Sequence, residues 1–357
     1  FINMDNTTLL ITKADISSCR LAQVPLAKAQ SVFEIKELAF TANNVTYALC
    51  GESLRYWSFY PYSETEGILP AWGYAECIES GVPGFQVGQL FYGYWPAAKL
   101  AELSLSNLSN KRAVENSEGR SSLPLVYNSY ELVDDESHPV SLRPYIPTLQ
   151  PLFATSFLLF HWLVDDSFFE ADEIIITSAS SKTALALAWL HQQCPGQKPK
   201  LTALTSKANE EFTASTGFYE RVLTYDNLSF ENKNQVFVVD FLGSPGFLQE
   251  LTSRLGSQLI KVSLVGATNW QASGEIKDID KASFFFAPVQ VRRRMKKWGA
   301  LQTQNRIQKE LIDFAGFAQG LFSLREVKGS EHLKVCYEQV VCAQQNPKEI
   351  VVIKPSS

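Results

Sequence analysis

The 357-residue sequence holds few metal-ligating side chains, and none of them are grouped. Its four histidines (His138, His161, His191, His332) are dispersed, and its six cysteines (Cys19, Cys50, Cys77, Cys194, Cys336, Cys342) form no CxxC pair. That spacing excludes a sequence-local zinc site and gives no disulfide framework. Reduced, mostly buried thiols and a cytoplasmic location are expected. No apolar run reaches the length of a membrane span, and no stretch resembles a signal peptide. Neither charge dominates: the net charge is −5, which gives no general attraction to nucleic acid or to anionic membranes. The one basic run, Arg292-Arg293-Arg294 with Lys296 and Lys297, reads as a solvated helix face.

What is present is 45% hydrophobic and 19% charged, an ordinary globular composition long enough for two domains. The most informative stretch runs from Ile174 to Leu190. Ile174-Ile175-Ile176-Thr177 is a short β-branched run of the kind buried on both faces of a parallel sheet. Ala184 to Leu190 is rich in small helix formers. Between them stand Ser178, Ser180, Ser181, Lys182 and Thr183. A strand-turn-helix leaves backbone N–H groups without partners at the helix start, where an anion is favoured, and hydroxyls with a lysine there suit phosphate. Glycine is absent from all three positions of the dinucleotide fingerprint. A serine-capped β–α connection without a ligand is the plain alternative.

Further strands follow at Lys200–Lys207, Arg221–Tyr225, Gln235–Asp240 and Leu259–Gly266, with helical segments such as Phe247–Leu255 between several of them. Strands alternating with helices over this length predict a doubly wound parallel sheet. The second strand of such a sheet reads the adenosine ribose. Here it ends in Thr205-Ser206-Lys207, with no carboxylate before Glu210. Ser206 and Lys207 can both donate to a 2′-phosphate, which favours NADP(H) over NAD(H). Tyr225 and Gly266, at the ends of the third and fifth strands, complete the candidate cofactor set.

The N-terminal part reads differently. Val32–Leu38 alternates as a half-buried strand, and Phe40–Gly51 reads as a loop entering a short helix that stops at glycine. Strands punctuated by glycine, such as Gly73–Gly81 and Phe85–Gly93, indicate a small β-barrel. Tyr56, Trp57, Phe59, Tyr60, Tyr62, Trp72, Tyr74, Phe91, Tyr92, Tyr94 and Trp95 crowd this region, partly as barrel core and partly as the wall of an apolar pocket. Leu103–Pro144 is polar and aperiodic, a long surface excursion. From about Pro151 the pattern changes, with Leu152–Val164 an apolar helix.

These residues resemble the zinc-independent branch of the medium-chain dehydrogenase/reductase superfamily, on its quinone oxidoreductase and enoyl reductase side. More closely, the chain is similar to a sparsely characterised subgroup with no assigned substrate. Phe85-x-Val87-Gly88-Gln89-x-Phe91-x-Gly93 is similar to the family's FxVGDxVxG, with Gln89 for aspartate. Asn43–Gly51 looks like the family's asparagine-to-glycine loop, with Thr46 for its aspartate, and Ile174–Ala188 fits its cofactor strand-turn-helix. The resemblance implies an α/β architecture: a GroES-like β-barrel domain from 1–149 and 291–357, and a Rossmann dinucleotide-binding domain over 150–290. It implies a cofactor cleft and a homodimer. The zinc members' cysteine and His-Glu pair are missing from Leu69-Pro70-Ala71-Trp72, so zinc chemistry is not expected.

Without a metal, hydride delivery from NADPH needs a hydrogen-bond donor at the developing oxyanion or enolate. Tyr56 and Tyr47 flank the Asn43–Gly51 loop and are the candidate acids; Asn44, like Asn43, is a candidate for holding substrate or nicotinamide ribose, or else serves loop geometry. The expected activity is NADP(H)-dependent reduction of a small apolar or aromatic carbonyl, enone or quinone. The alternative is a non-catalytic NADP(H)-binding or sensing protein that keeps the fold. Ser181-Lys182-Thr183 also resembles the end of a phosphate-binding P-loop, but the glycines that motif requires are absent.

Overall fold

The computed structural model describes residues 5–26, 30–109, 111–230, 234–265 and 281–357. The chain forms two compact units, Phe1–Thr148 with Ala318–Ser357, and Leu149–Phe317. Residues 291–317, expected with the barrel, therefore cluster with the second unit. The helix Ala300–Leu321 carries the chain across this boundary. Its inner face explains the difference: Phe314 stacks on Phe153 at 5.5 Å and meets Trp189 at 5.4 Å, both in the second unit.

The first unit is built on a nine-stranded sheet. Its central strands Ser31–Ala39, Pro70–Ser80 and Leu90–Pro96 pair antiparallel. The C-terminal strand Glu349–Lys354 joins antiparallel to the first of these and carries Ser323–Lys328 parallel on its outer side. A smaller sheet combines Thr7–Thr12, Cys19–Gln23 and Glu66–Ile68. Phe33, Phe91, Trp95 and Tyr130 fill the core, with Phe33 edge-on to Phe91 at 5.7 Å. Gly93 is required there, because a Cβ would stand 2.3 Å from the Tyr130 ring.

The expected surface excursion between Leu103 and Pro144 is largely built in. It contributes the strands Leu105–Ser109, Arg112–Glu115 and Ser129–Leu132 to the large sheet. Its polarity misleads because the polar groups satisfy one another. Buried Arg120 donates to Asn128 Oδ1 and to the Tyr130 hydroxyl, each at 2.9 Å, pairs with buried Glu115 at 3.4 Å, and lies over the Tyr60 ring at 4.9 Å.

The second unit holds six parallel strands: Glu173–Ile176, Lys200–Thr205, Arg221–Thr224, Val236–Asp240, Leu259–Leu264 and Ala282–Phe284. Numbered along the chain, they lie in the order 3-2-1-4-5-6. That is the doubly wound Rossmann arrangement, whose order reverses between the first and fourth strands. Both of those strands are buried at every residue, apolar except for Glu173 at the start of the first and Asp240 at the end of the fourth, as strands of a doubly covered sheet should be. The basic run lies on the helix Ala287–Trp298, and it is solvated only in part. Arg294 is fully buried, paired with the Asp165 carboxylate and set over the Trp298 ring at 4.9 Å. An ion pair and a ring face make its burial tolerable. Ahead of the first strand, Ser167, Phe168, Phe169 and Glu170 all take left-handed φ values of 49° to 58°. Phe169 anchors that turn by stacking on Phe237 at 5.1 Å.

Candidate functional site

The topology places the turn after Ile176 at the switch point of the parallel sheet, where α/β folds of this order bind ligands. Thr177 ties the first strand to the fourth. Its hydroxyl donates to Asp240 Oδ1 at 2.6 Å and accepts the N–H groups of Phe241 at 2.9 Å and Leu242 at 3.0 Å. Asp240 Oδ2 accepts the Gly243 N–H at 3.1 Å. Neither Thr177 nor Asp240 stood among the expected site residues. The available signal was a carboxylate closing an otherwise apolar strand.

Ser178 then turns the backbone with φ 49°, the left-handed region that glycine enters without strain. The conformation of the missing glycine is thus kept. The turn is pinned from several sides. Ser178 N–H donates to the Tyr225 hydroxyl at 3.0 Å, and Ala179 N–H donates to Leu204 O at 3.1 Å. Ala179 O accepts from the half-buried Tyr219 hydroxyl at 2.9 Å, and Ser181 N–H donates to Ser178 O at 2.9 Å. Ser181 caps the helix Lys182–Gln193, its hydroxyl accepting the Ala184 N–H at 3.3 Å. Ser180 is buried and accepts from the Thr205 hydroxyl at 3.3 Å.

Ser178, Ser181, Lys182 and Thr183 form a half-exposed face on this turn and the start of the helix. Of the expected cofactor residues, the structure therefore brings together Ser178, Ser180, Ser181, Lys182, Thr183 and Tyr225. Ser206 and Lys207 follow the neighbouring second strand, but Lys207 is already ion-paired with Glu210, and that carboxylate holds its ammonium above the ordinary lysine range. Gly266 lies outside the described residues. The donor set fits a diphosphate by its side chains: three hydroxyls, one ammonium and a helix start. It fits less by backbone, because the N–H groups of Ser178, Ala179 and Ser181 have acceptors within the protein.

The candidate acids lie in the first unit. The helix Ala42–Leu49 begins with a capping box in which Asn44 Oδ1 accepts the Thr41 N–H at 2.8 Å. Asn44 Nδ2 donates to Pro70 O at 3.0 Å. Its amide is committed to the fold, so of the two readings open for Asn44 the structure displays loop geometry rather than ligand binding. Tyr47 and Tyr56 are both buried, with ring centroids 4.7 Å apart. The Trp72 indole donates to the Tyr47 hydroxyl at 3.3 Å, and the Tyr56 hydroxyl lies 3.3 Å from that of Tyr127. Burial pushes both phenols well above the ordinary tyrosine range, and the Tyr127 phenol adds to the rise. Both are therefore protonated donors at neutral pH. Gly51 makes room for this cluster, since a Cβ there would stand 2.0 Å from the Trp57 indole.

Tyr94 and Tyr127 complete the array, with ring centroids 4.9 Å apart. Tyr127 was missed because it belongs to the segment read as a surface excursion. Among the described residues, no group of three or more His, Cys, Asp or Glu side chains is placed to hold a metal ion. No described helix is long and apolar enough to cross a membrane.

An antiparallel barrel-like unit formed from both ends of the chain, with a Rossmann unit inserted, is the two-domain GroES-like and Rossmann fold of medium-chain dehydrogenase/reductase proteins. The chain is similar over nearly its whole length to CurA from Vibrio vulnificus, solved in complex with NADPH, with 13% identity, a TM-score of 0.59, and 98% of this chain and 99% of that one covered. It is similar to the CurK enoyl reductase, with 13% identity, a TM-score of 0.58, and 99% and 100% covered. It is also similar to the quinone oxidoreductase from Coxiella burnetii, with 12% identity, a TM-score of 0.56, and 98% and 99% covered. No curated protein matches by sequence. The chain belongs to the family described as "Protein of unknown function (DUF2855)", whose model matches residues 38–345.

Proposed function

We propose that this protein is an NADP(H)-dependent, zinc-independent oxidoreductase that reduces a small apolar or aromatic carbonyl, enone or quinone. The observation that carries the reading is the hydroxyl- and lysine-bearing helix start at the switch point of a 3-2-1-4-5-6 sheet. Solved proteins of the same fold include an NADPH complex, a quinone oxidoreductase and an enoyl reductase. Bound NADPH supplies the hydride. Ser178, Ser181, Lys182 and Thr183 hold the diphosphate, and Ser206 and Lys207 hold the 2′-phosphate. Tyr56 and Tyr47 keep their Oη protons at neutral pH and donate to a developing oxyanion; the indole bond to Tyr47 fixes its oxygen for that role. The surrounding rings of Tyr94, Tyr127 and Phe59 exclude water from both phenols. A homodimer is part of the proposal: the short edge strand Ala282–Phe284 leaves Phe284 and Phe286 exposed, an edge that a second copy would cover.

The test is direct. Fluorescence titration with NADPH and with NADH measures cofactor binding and preference. NADPH consumption is then followed with quinones, enones and aldehydes. Tyr56→Phe should lower turnover without changing NADPH affinity; an unchanged rate moves the acid to Tyr47.

A second reading rests on a specific observation. Three N–H groups of the turn already have acceptors within the protein, which suits a weak binder that senses NADP(H) without turning it over. Binding without consumption of NADPH across the substrate panel selects it. Failure to bind either nucleotide at millimolar concentration removes both.

A further inference from the structure

Tyr225 follows the third strand, Arg221–Thr224, two positions in the sheet away from the first. Its own N–H donates to Thr205 O at 3.2 Å, which fixes its backbone against the second strand. Its side chain crosses the C-terminal edge of the sheet, and its hydroxyl accepts the Ser178 N–H at 3.0 Å. Its ring packs edge-on against Phe247 at 4.8 Å, on the helix Pro245–Leu255 that follows the fourth strand. One side chain thus straps the end of the third strand to both elements that flank the switch point. The N–H it takes is the first of the turn on which the diphosphate is proposed to sit, at the tight bend that the leading fingerprint glycine makes.

We infer that Tyr225 is an internal competitor for the cofactor's diphosphate: its phenol oxygen occupies the acceptor position on the Ser178 N–H, and this contact sets cofactor affinity. The inference rests on the cofactor reading above and reverses the role expected of Tyr225 from sequence, that of a direct cofactor ligand. An anion seated on the turn must displace the phenol or forgo that N–H. Either costs about one hydrogen bond, roughly a five- to tenfold loss of affinity. Phe247 packs edge-on against the ring and so supports the strap.

The sign of one substitution decides the matter. Tyr225→Phe keeps the ring and its packing and removes only the oxygen. NADPH and inorganic diphosphate should each bind about five- to tenfold tighter, measured by fluorescence titration and by calorimetry. Hydrogen exchange at the Ser178 amide should accelerate in the same variant. Phe247→Leu, which loosens the strap and retains the phenol, should tighten NADPH binding in the same direction. Weaker or unchanged binding by Tyr225→Phe overturns the inference and leaves the cofactor reading standing, provided the wild type binds. Absence of NADPH binding in wild type and variant alike overturns both.

Discussion

Replacing Ser178 with glycine separates the conformational demand of the turn from its chemistry. Ser178 sits at φ 49°, and its bond to Tyr225 runs through the backbone N–H, which glycine retains. An L-residue in the left-handed region costs roughly 1–2 kcal/mol. Glycine's greater freedom in the unfolded chain returns roughly 0.5–1 kcal/mol of that. The net expectation is a gain of about 0.5–1 kcal/mol, a rise in melting temperature of about 1–4 °C. Two controls sharpen it. Ser180 is outside the left-handed region and accepts a hydrogen bond while buried, so Ser180→Gly should lose stability by at least roughly 0.5–1 kcal/mol. Exposed Glu170 shares the left-handed conformation at φ 58°, in the turn ahead of the first strand, so Glu170→Gly should stabilise without altering cofactor affinity. Thermal and urea melts give the stabilities, and NADPH titration gives the affinities. Ser178→Gly should also bind NADPH less tightly, because it removes one of the three hydroxyls proposed to hold the diphosphate. A destabilised Ser178→Gly refutes the conformational argument. A stabilised variant with unchanged affinity refutes the assignment of the Ser178 hydroxyl to the diphosphate.

Other perturbations bear on separate parts of the molecule. Lys207→Glu should weaken NADPH binding far more than NADH binding, while Glu210→Gln, by freeing the exposed Lys207, should strengthen NADPH binding selectively; equal effects on the two nucleotides contradict the assignment. Arg120→Met should cost about 3–5 kcal/mol in urea denaturation, because it leaves the buried Glu115 carboxylate without its cation; a loss below about 1 kcal/mol contradicts the network's role. His138, His161 and His191 are each held down to about 4, chiefly by burial, with neighbouring cations adding to the fall and Asp134 opposing it at His138. Their folded values are depressed, so the unfolded chain binds protons first. Stability should be intact above about pH 6.5 and fall as pH drops toward about 4. Urea midpoints against pH measure the slope, and His161→Phe, which keeps a ring against Phe157 and Trp298, should make it shallower.

The strands of the Rossmann unit were legible because burial on both faces writes an uninterrupted apolar run. Ile174–Thr177 is realised as Glu173–Ile176, and Arg221–Tyr225 as Arg221–Thr224. The barrel region was legible from alternation and glycine. Polar residues buried by partners far away in the sequence were not. Arg294 reads as one cation in a basic run until the Asp165 carboxylate and the Trp298 face are in view. Arg120, Asn128 and Tyr130 read as loop until they are seen to bond one another. In each case local polarity signals solvent, while the pairing that cancels it depends on three-dimensional contact.

The same limit applies at the turn, where it changes the chemical argument. The residue types between Ser178 and Thr183 announce a phosphate-friendly face, and the structure keeps that face half-exposed. The state of the Ser178 and Ala179 backbone donors could not be read, because their acceptors come from Tyr225 and Leu204, after the third strand and on the second. These bonds and the loss of glycine are parts of one solution. A serine persists in a left-handed conformation only where its surroundings over-determine it. The bonds at Ser178 N–H, Ala179 N–H, Ala179 O and Ser181 N–H provide that constraint. By holding the turn without glycine, they also withdraw from any ligand the N–H groups that a glycine-rich turn offers. Attraction for a diphosphate then falls to Lys182 and the surrounding hydroxyls. Such a site depends more on charge than on backbone geometry, so its affinity for NADPH should decline steeply with salt.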